Sequence, residues 1–81
     1  MNRAALVERL RDLKISENRF SIDGTPKNEA TIIEQIESDT WCTYYSERGE
    51  RTDERYFSTE DEACRSVYED FVKWEGYKGR S

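Results

Sequence analysis

Carboxylates are the side chains in this sequence best suited to acid–base chemistry, and 18 of the 81 residues are Asp or Glu. Two carboxylates held at a fixed separation can share the acid and base roles of hydrolysis. With so many acids, spacing alone singles out no pair. Histidine is absent, which removes the commonest general base, the Ser-His and Cys-His nucleophile pairs and most zinc sites. We therefore expect no catalysis and keep a paired-carboxylate enzyme as an alternative.

The motifs that bind cofactors, phosphates and metals are also missing. The glycines at positions 24, 49, 76 and 79 stand apart, so they form no glycine-rich phosphate loop. The acidic segments TEDE and DTW lack the alternating oxygen ligands and the glycine of a calcium loop. Cys42 and Cys64 are not in C-x-x-C spacing, and we expect two reduced, part-buried thiols, with a single bridge as the alternative. The sequence predicts no cofactor and no metal.

The remaining candidate is YYSERGERTDERYF, residues 44–57, in which aromatic ends flank ten charged and small polar residues. One interpretation is a solvated turn whose cross-strand charge pairs contribute roughly 0.2 to 1 kcal/mol each. The other is a docking edge, because Tyr and Arg are common energetic anchors at protein interfaces. On the second interpretation the partner-binding residues are Tyr45, Glu47, Arg48, Glu50, Arg51, Asp53 and Glu54 on the hairpin, with Glu60 and Asp61 nearby.

The distribution of charge indicates which partner would suit this segment. Residues 1–28 hold six basic and four acidic residues, whereas residues 29–81 hold 7 basic and 14 acidic residues, and the chain carries a net charge of −5. An acidic field repels nucleic acid phosphates and attracts basic surfaces, with association rates that fall as salt rises. We expect a protein partner with a basic surface and no direct nucleic acid binding.

The length of the chain limits the architecture that can position these residues. A chain of 81 residues is expected to form one domain, 1–81, which buries only roughly 60 to 65% of its unfolded surface. An aromatic content of 12% beside 38% charged residues indicates a folded protein with a thin core. Charges interrupt every apolar run, so we expect no membrane span and no signal peptide, and a cytoplasmic location.

Hydrophobic spacing predicts the order helix, four strands, helix. Asn2 can cap a first helix over about 3–13, and Thr59 with Glu62 has the spacing of a capping box before a second helix over about 60–75. Gly76 can end that helix, which would leave residues 75–81 as a frayed tail. Strands are predicted in the segments RFSID, ATIIEQIE, TWCTYYS and ERYFS, and Arg48-Gly49 is the best turn candidate between the last two.

The segment TWCTYYS is the strongest strand signal. It places Trp41, Thr43 and Tyr45 on one face and Cys42, Tyr44 and Ser46 on the other, so aromatic residues on both faces predict a central strand. Two amphipathic helices on the same side of the sheet can bury one of its faces. We therefore predict an α+β fold, α-β-β-β-β-α, with both helices on one face of a four-stranded antiparallel meander. An exposed sheet edge would also allow a homodimer.

The segment WCTYYSERGERTDERYFSTEDEACRSVYEDF, with ISENRFSIDG before it, resembles a class of small bacterial proteins, the immunity proteins of polymorphic toxin systems. These share a "YYSERG…R…F.TE.EAC" segment followed by a helix, and the similarity covers residues 6–73. The resemblance implies a cytoplasmic protein that neutralises a cognate toxin by occluding its active site and has no catalysis of its own. It assigns no toxin-contact role to individual residues. The matching positions are Tyr44, Tyr45, Ser46, Glu47, Arg48, Gly49, Phe57, Glu60, Glu62, Ala63 and Cys64.

Two functions from different classes thus follow for a partner-binding protein. The first is an immunity protein whose carboxylates meet basic groups of a toxin, while Tyr45 buries its ring and the arginines pair with acidic groups at the rim. The second is a phage-type inhibitor or regulator that imitates nucleic acid charge to block a DNA- or RNA-binding enzyme. Mimicry requires carboxylates spaced like phosphates on one exposed surface, which a structure can test.

Overall fold

The structure, a computed structural model, describes the backbone of residues 1–78 and the side chains of residues 1–74. It confirms the predicted α+β fold and the order of its helices and strands. The elements are α1 (Arg3–Asp12), a 3₁₀ turn (Glu17–Arg19), β1 (Phe20–Ser21), β2 (Ala30–Glu37), β3 (Thr40–Glu47), β4 (Glu50–Phe57) and α2 (Glu60–Lys78).

Helix α1 is closed at both ends by local hydrogen bonds. At its start the Asn2 side chain accepts a hydrogen bond from the Ala5 N–H at 2.8 Å, as predicted. At its end Lys14 has a left-handed backbone with φ of 61°. The N–H of Ile15 donates to the carbonyl of Leu10 at 2.9 Å, and the N–H of Lys14 donates to a carbonyl one turn back. These two bonds form a Schellman motif, which usually has glycine where Lys14 stands.

Helix α2 starts as predicted and runs further than predicted. The Glu62 N–H donates to the Thr59 hydroxyl at 3.1 Å, which is the N-cap bond of a capping box. The helix then continues past Gly76 to Lys78, so residues 75–78 are helical rather than frayed, and residues 79–81 lie outside the described part. A glycine inside a helix costs only about 1 kcal/mol relative to alanine, and no proline follows to force an end.

The strands lie in the order β1-β2-β3-β4. The pairs β2–β3 and β3–β4 are antiparallel, as predicted, and β3 is central. The first pair differs, because β1 runs parallel to β2 with Phe20 opposite Thr31. The chain continues beside β2 until the Gly24 N–H donates to the Ile33 carbonyl at 3.0 Å, and residues 25–29 then return to the start of β2. Gly24 turns there with φ of 79°.

Both helices cover one face of the sheet, here called the helix face. They run side by side in the same direction, with Arg3 beside Glu60 and Arg9 over the ring of Tyr68. The opposite face, here called the open face, has its own small buried cluster of Ala30, Ile32, Cys42 and Tyr44. The core of the helix face consists of Leu6, Leu10, Ile15, Phe20, Ile33, Trp41, Ala63, Cys64, Val67 and Phe71.

The two cysteines are free and buried, as expected for reduced thiols. Cys42 belongs to the cluster of the open face and Cys64 to the core of the helix face, so the sheet lies between them. Burial raises the pKa of both thiols, that of Cys64 to about 11. Among the described residues, no helix has the length and apolar character that crossing a bilayer requires.

Replacing Lys14 by glycine should increase the free energy of unfolding by about 0.5 to 1 kcal/mol, because glycine adopts a positive φ without the steric cost of a Cβ atom. Lys14→Ala is the matched control, since it removes the charge and keeps the Cβ. Urea unfolding of the three proteins measures the effect. Equal stabilities of the glycine and alanine variants would contradict a left-handed residue at this position.

The thiol of Cys64 should make stability depend on pH in the alkaline range. The folded protein retains this proton to about pH 11, whereas an unperturbed thiol has a pKa of 9.0. The stabilisation from the buried neutral thiol is therefore complete below pH 9 and is lost as the pH rises toward 11. We expect the difference in unfolding free energy between the wild type and Cys64→Ala to narrow over this range. A difference independent of pH would contradict the prediction.

Candidate functional site

The turn between β3 and β4 is formed by Arg48 and Gly49, as predicted. Both have positive φ, 52° and 80°, which is the geometry of a two-residue type I′ turn. The Arg48 N–H donates to the side chain of Asn28 at 2.8 Å, so the segment before β2 is tied to this turn. We call residues 28–29 and 47–50 the hairpin tip.

The hairpin tip gathers three glutamates with which no residue in the described part of the chain forms an ion pair. Glu47 and Glu50 lie directly opposite each other in the β3–β4 ladder, and both are exposed. Glu29 lies beside them, since the residue after it, Ala30, pairs with Ser46. None of the three glutamates forms an ion pair with a residue that the structure describes. Like charges directly opposite each other destabilise a sheet, so folding does not explain this arrangement.

Next to the hairpin tip, a groove of about 490 Å³ lies between the C-terminal half of α2 and the helix face. Its wall on the strand side includes Thr31, Thr43, Tyr45 and Thr52. Because side chains alternate along a strand, Glu47 lies on the same face as Tyr45, two residues closer to the turn. The acidic hairpin tip and the groove are therefore neighbouring parts of one surface.

Aromatic residues form the apolar part of the groove. The rings of Tyr45 and Trp74 meet edge to face, with centroids 6.5 Å apart, and Phe71 meets Trp74 at 6.3 Å. Trp74 remains 52% exposed although it continues the apolar spacing of α2. Trp and Tyr on the wall of a concave surface are typical anchors of protein interfaces. The groove thus adds an apolar component to the acidic hairpin tip.

The charges that line the groove are balanced. Arg55 lies 3.1 Å from a carboxylate oxygen of Asp53 and 3.5 Å from one of Asp70. It also donates to the hydroxyl of Ser66 at 3.2 Å. The two carboxylates of the groove therefore share one guanidinium, and Lys73 adds a second positive charge to the lining. The negative potential of this surface comes from the glutamates of the hairpin tip.

Two of the predicted contact residues lie on the open face instead. The guanidinium of Arg51 stacks 4.2 Å from the centroid of the Tyr44 ring and lies 3.8 Å from Glu34. Glu54 accepts a hydrogen bond at 3.1 Å from the hydroxyl of Tyr56, which raises the pKa of that phenol. Burial raises the pKa of Tyr44. The open face is therefore an aromatic surface covered by its own charged side chains.

Two further predicted contact residues, Glu60 and Asp61, lie at the start of α2, at the far end of β4 from the turn. The carboxylate of Glu60 accepts hydrogen bonds from the backbone N–H and the Nε of Arg3, at 2.9 and 3.1 Å. Asp61 accepts a hydrogen bond from the N-terminal amine and lies 3.1 Å from Arg65, and the bond from the amine lowers its pKa. These acids join the starts of the two helices.

The structure thus divides the nine predicted contact residues into three places. It brings Tyr45, Glu47, Arg48, Glu50 and Asp53 together and separates the other four from them. Sequence reasoning missed Glu29, which the hydrogen bond between Arg48 and Asn28 brings to the hairpin tip. No local sequence pattern predicts that bond. In the described part of the chain, no three His, Cys, Asp or Glu side chains are grouped as metal ligands would be.

The variant Glu47→Lys should increase the free energy of unfolding by about 0.5 kcal/mol, since it converts a repulsive cross-strand pair into an attractive one. Glu47→Gln should give a smaller increase because it only removes the repulsion. Glu8→Lys makes the same charge change at an exposed position of α1 and is the control. Thermal unfolding at low salt measures the effect, and equal stabilities of Glu47→Lys and Glu8→Lys would contradict it.

Comparison with known proteins adds no family to this description: no protein-family model matches the chain, and no curated protein or solved structure matches it.

Proposed function

We propose that this protein is a small acidic protein-binding protein, an immunity protein that neutralises a cognate toxin by covering its functional surface. The observation that carries the proposal is the hairpin tip, where Glu47 and Glu50 face each other and form no ion pair with a described residue. Such a pair costs stability in the free protein. A basic partner would relieve that cost on binding, so the arrangement has a use in a complex that it lacks in the free protein.

The chemistry of the partner follows from the charge of this surface. Three glutamates at the hairpin tip attract lysine and arginine side chains of a basic cleft and raise the association rate at low salt. Toxins that act on nucleic acids or nucleotides need basic clefts to bind phosphates. An acidic protein seated in such a cleft would exclude the toxin's substrate without any catalysis of its own.

The groove supplies the anchor that charge alone does not. Tyr45 and Trp74 can accept an apolar or aromatic side chain of the partner between α2 and the sheet, where contacts are shielded from water. Arg48 in the turn and Asp53 at the groove are placed to contact the rim of the partner. Affinity would then come from the groove, and orientation and rate from the charges.

The resemblance of residues 6–73 to immunity proteins supports the same class of function and a cytoplasmic place of action. The alternative, an inhibitor that mimics nucleic acid, has less support. Mimicry needs carboxylates in a row on one surface, whereas here they are distributed over several. Glu47 and Glu50 lie at the hairpin tip, Glu34 and Glu54 on the open face, and Glu60 at the start of α2.

The first experiment is to retrieve the partner from a lysate of the source bacterium at low and at high salt, with the products of neighbouring genes tested among the retained proteins. We expect one stoichiometric, toxin-like protein whose retention weakens as salt rises. Its activity should fall when this protein is added in equimolar amount. A retained host DNA- or RNA-binding enzyme would instead support the mimic, and retention of no protein at either salt would contradict both.

With the partner in hand, Glu47→Lys should weaken binding about tenfold or more at low salt, because it places a cation against a basic surface. Trp74→Ala should weaken binding at both low and high salt, since it removes an apolar anchor. Glu8→Lys, which changes the net charge equally, should bind almost as tightly as the wild type. Titration calorimetry measures all three, and equal losses for Glu47→Lys and Glu8→Lys would contradict the proposed surface.

A further inference from the structure

Strand β4 is an edge strand with an unusual order of charges. It ends the sheet on one side, and no strand in the described part of the chain pairs with its outer edge. All its residues except the last are exposed. Its first six residues read ERTDER, residues 50–55. When two copies of this segment are aligned antiparallel about its centre, each acid except Asp53 lies opposite a base. Asp53 lies opposite Thr52 at the centre.

A β-bulge makes this complementarity usable in three dimensions. Thr43 pairs with Arg55 and Tyr45 pairs with Thr52, so two residues of β4, Asp53 and Glu54, oppose the single residue between Thr43 and Tyr45. Asp53 has a positive φ of 55°. The extra residue shifts the alternation of side chains. Odd-numbered residues of β4 therefore lie on one face before the bulge and on the other face after it.

The contacts show on which face each charge lies. Arg55 bonds to Ser66 and Asp70 of α2, and Glu50 pairs with Glu47, so both lie on the helix face. Arg51 stacks on Tyr44, and Glu54 bonds to Tyr56, which places both on the open face.

We propose that two copies of this chain pair antiparallel through β4, about a twofold axis normal to the sheet between Thr52 and Asp53. Glu50 of each copy then lies opposite Arg55 of the other on the helix face. Arg51 of each copy lies opposite Glu54 of the other on the open face. The result is a sheet of eight strands with the helices of both copies on the same side. Its formation does not require the proposed contact with a toxin.

The charges select this pairing over others. Charged side chains and bulges commonly protect edge strands from promiscuous pairing. Here a register shifted by two residues would set Asp53 opposite Glu54, and pairing with an uncharged strand would add no ion pair to β4. Six residue pairs span only about 20 Å, so the interface is small and the dimer is weak, and it weakens further as salt rises.

The pairing also fixes how the two candidate docking surfaces would be arranged. Antiparallel strands carry their turns in opposite directions, so the two hairpin tips lie at opposite ends of the interface. The two grooves lie side by side on the helix face, since each borders its own β4.

The test is complementation between two charge-reversed variants of the full chain. Arg51→Glu and Glu54→Arg each set like charges opposite each other in a homodimer, so each should weaken self-association about tenfold or more. An equimolar mixture of the two restores attraction at both positions and should form a heterodimer as readily as the wild type dimerises. Sedimentation equilibrium at low salt, with one variant fluorescently labelled, measures association in the wild type, in each variant alone and in the mixture.

Several outcomes would overturn the proposal: a wild type that stays monomeric at millimolar concentration, single variants that dimerise as the wild type does, or a mixture that remains monomeric. Arg51 also stacks on Tyr44, so Arg51→Glu could unfold the protein for reasons of its own. Glu50→Arg then serves as the second variant, because Glu50 forms no ion pair among the described residues. It should weaken dimerisation by reversing the contact with Arg55 of the other copy, and normal dimerisation of this variant would count against the proposed register.

Discussion

The main constraint on this fold is that two short helices can bury only one face of the sheet. Strand β3 carries aromatic residues on both faces, Trp41 toward the helices and Tyr44 away from them. The helices cover the first, and Arg3 adds a cation–π contact 5.0 Å from its ring. The second is only 4% exposed although no helix covers it. Arg51 helps to shield it, since its guanidinium lies over the ring. The protein thus uses charged side chains on the open face where a larger domain would use a further layer.

The bulge in β4 determines where the remaining charges go. Without it, Arg51, Asp53 and Arg55 would share one face of the strand. With it, Arg55 reaches α2 and joins Asp53 to Asp70, while Arg51 stays on Tyr44. One inserted residue therefore connects α2 to the edge strand and moves Glu54 to the open face. It also puts the opposite charges that would meet in the proposed dimer on matching faces of β4.

The hairpin tip carries acids that repel each other in the folded protein. The acids at the start of α2 are bonded to α1, and those of the groove share Arg55. Among the described residues, Glu29, Glu47 and Glu50 have no such partners, and two of them oppose each other. Repulsion of this kind is retained in natural proteins where binding benefits from it. The groove beside it supplies aromatic surface, and the proposed docking site combines the two.

Local rules in the sequence determined much of this protein. Asn2 and Thr59 cap helices because their short side chains place an oxygen within reach of the free N–H three residues later. Arg48-Gly49 marks the turn, and the period-two pattern of TWCTYYS determined the faces of β3 and its central place.

Only the tertiary structure decided the parallel direction of β1, which depends on the path of the chain between Ser21 and Ala30. The bulge at Asp53 has no local signature either, so Glu54 could not be separated from Tyr45 in advance, whereas the two-residue turn already sets Arg51 opposite Ser46 on the other face. The same holds for the hairpin tip, because Glu29 and Glu47 meet through pairing between β2 and β3, and such long-range contacts are set by packing of the whole sheet rather than by neighbours in the chain.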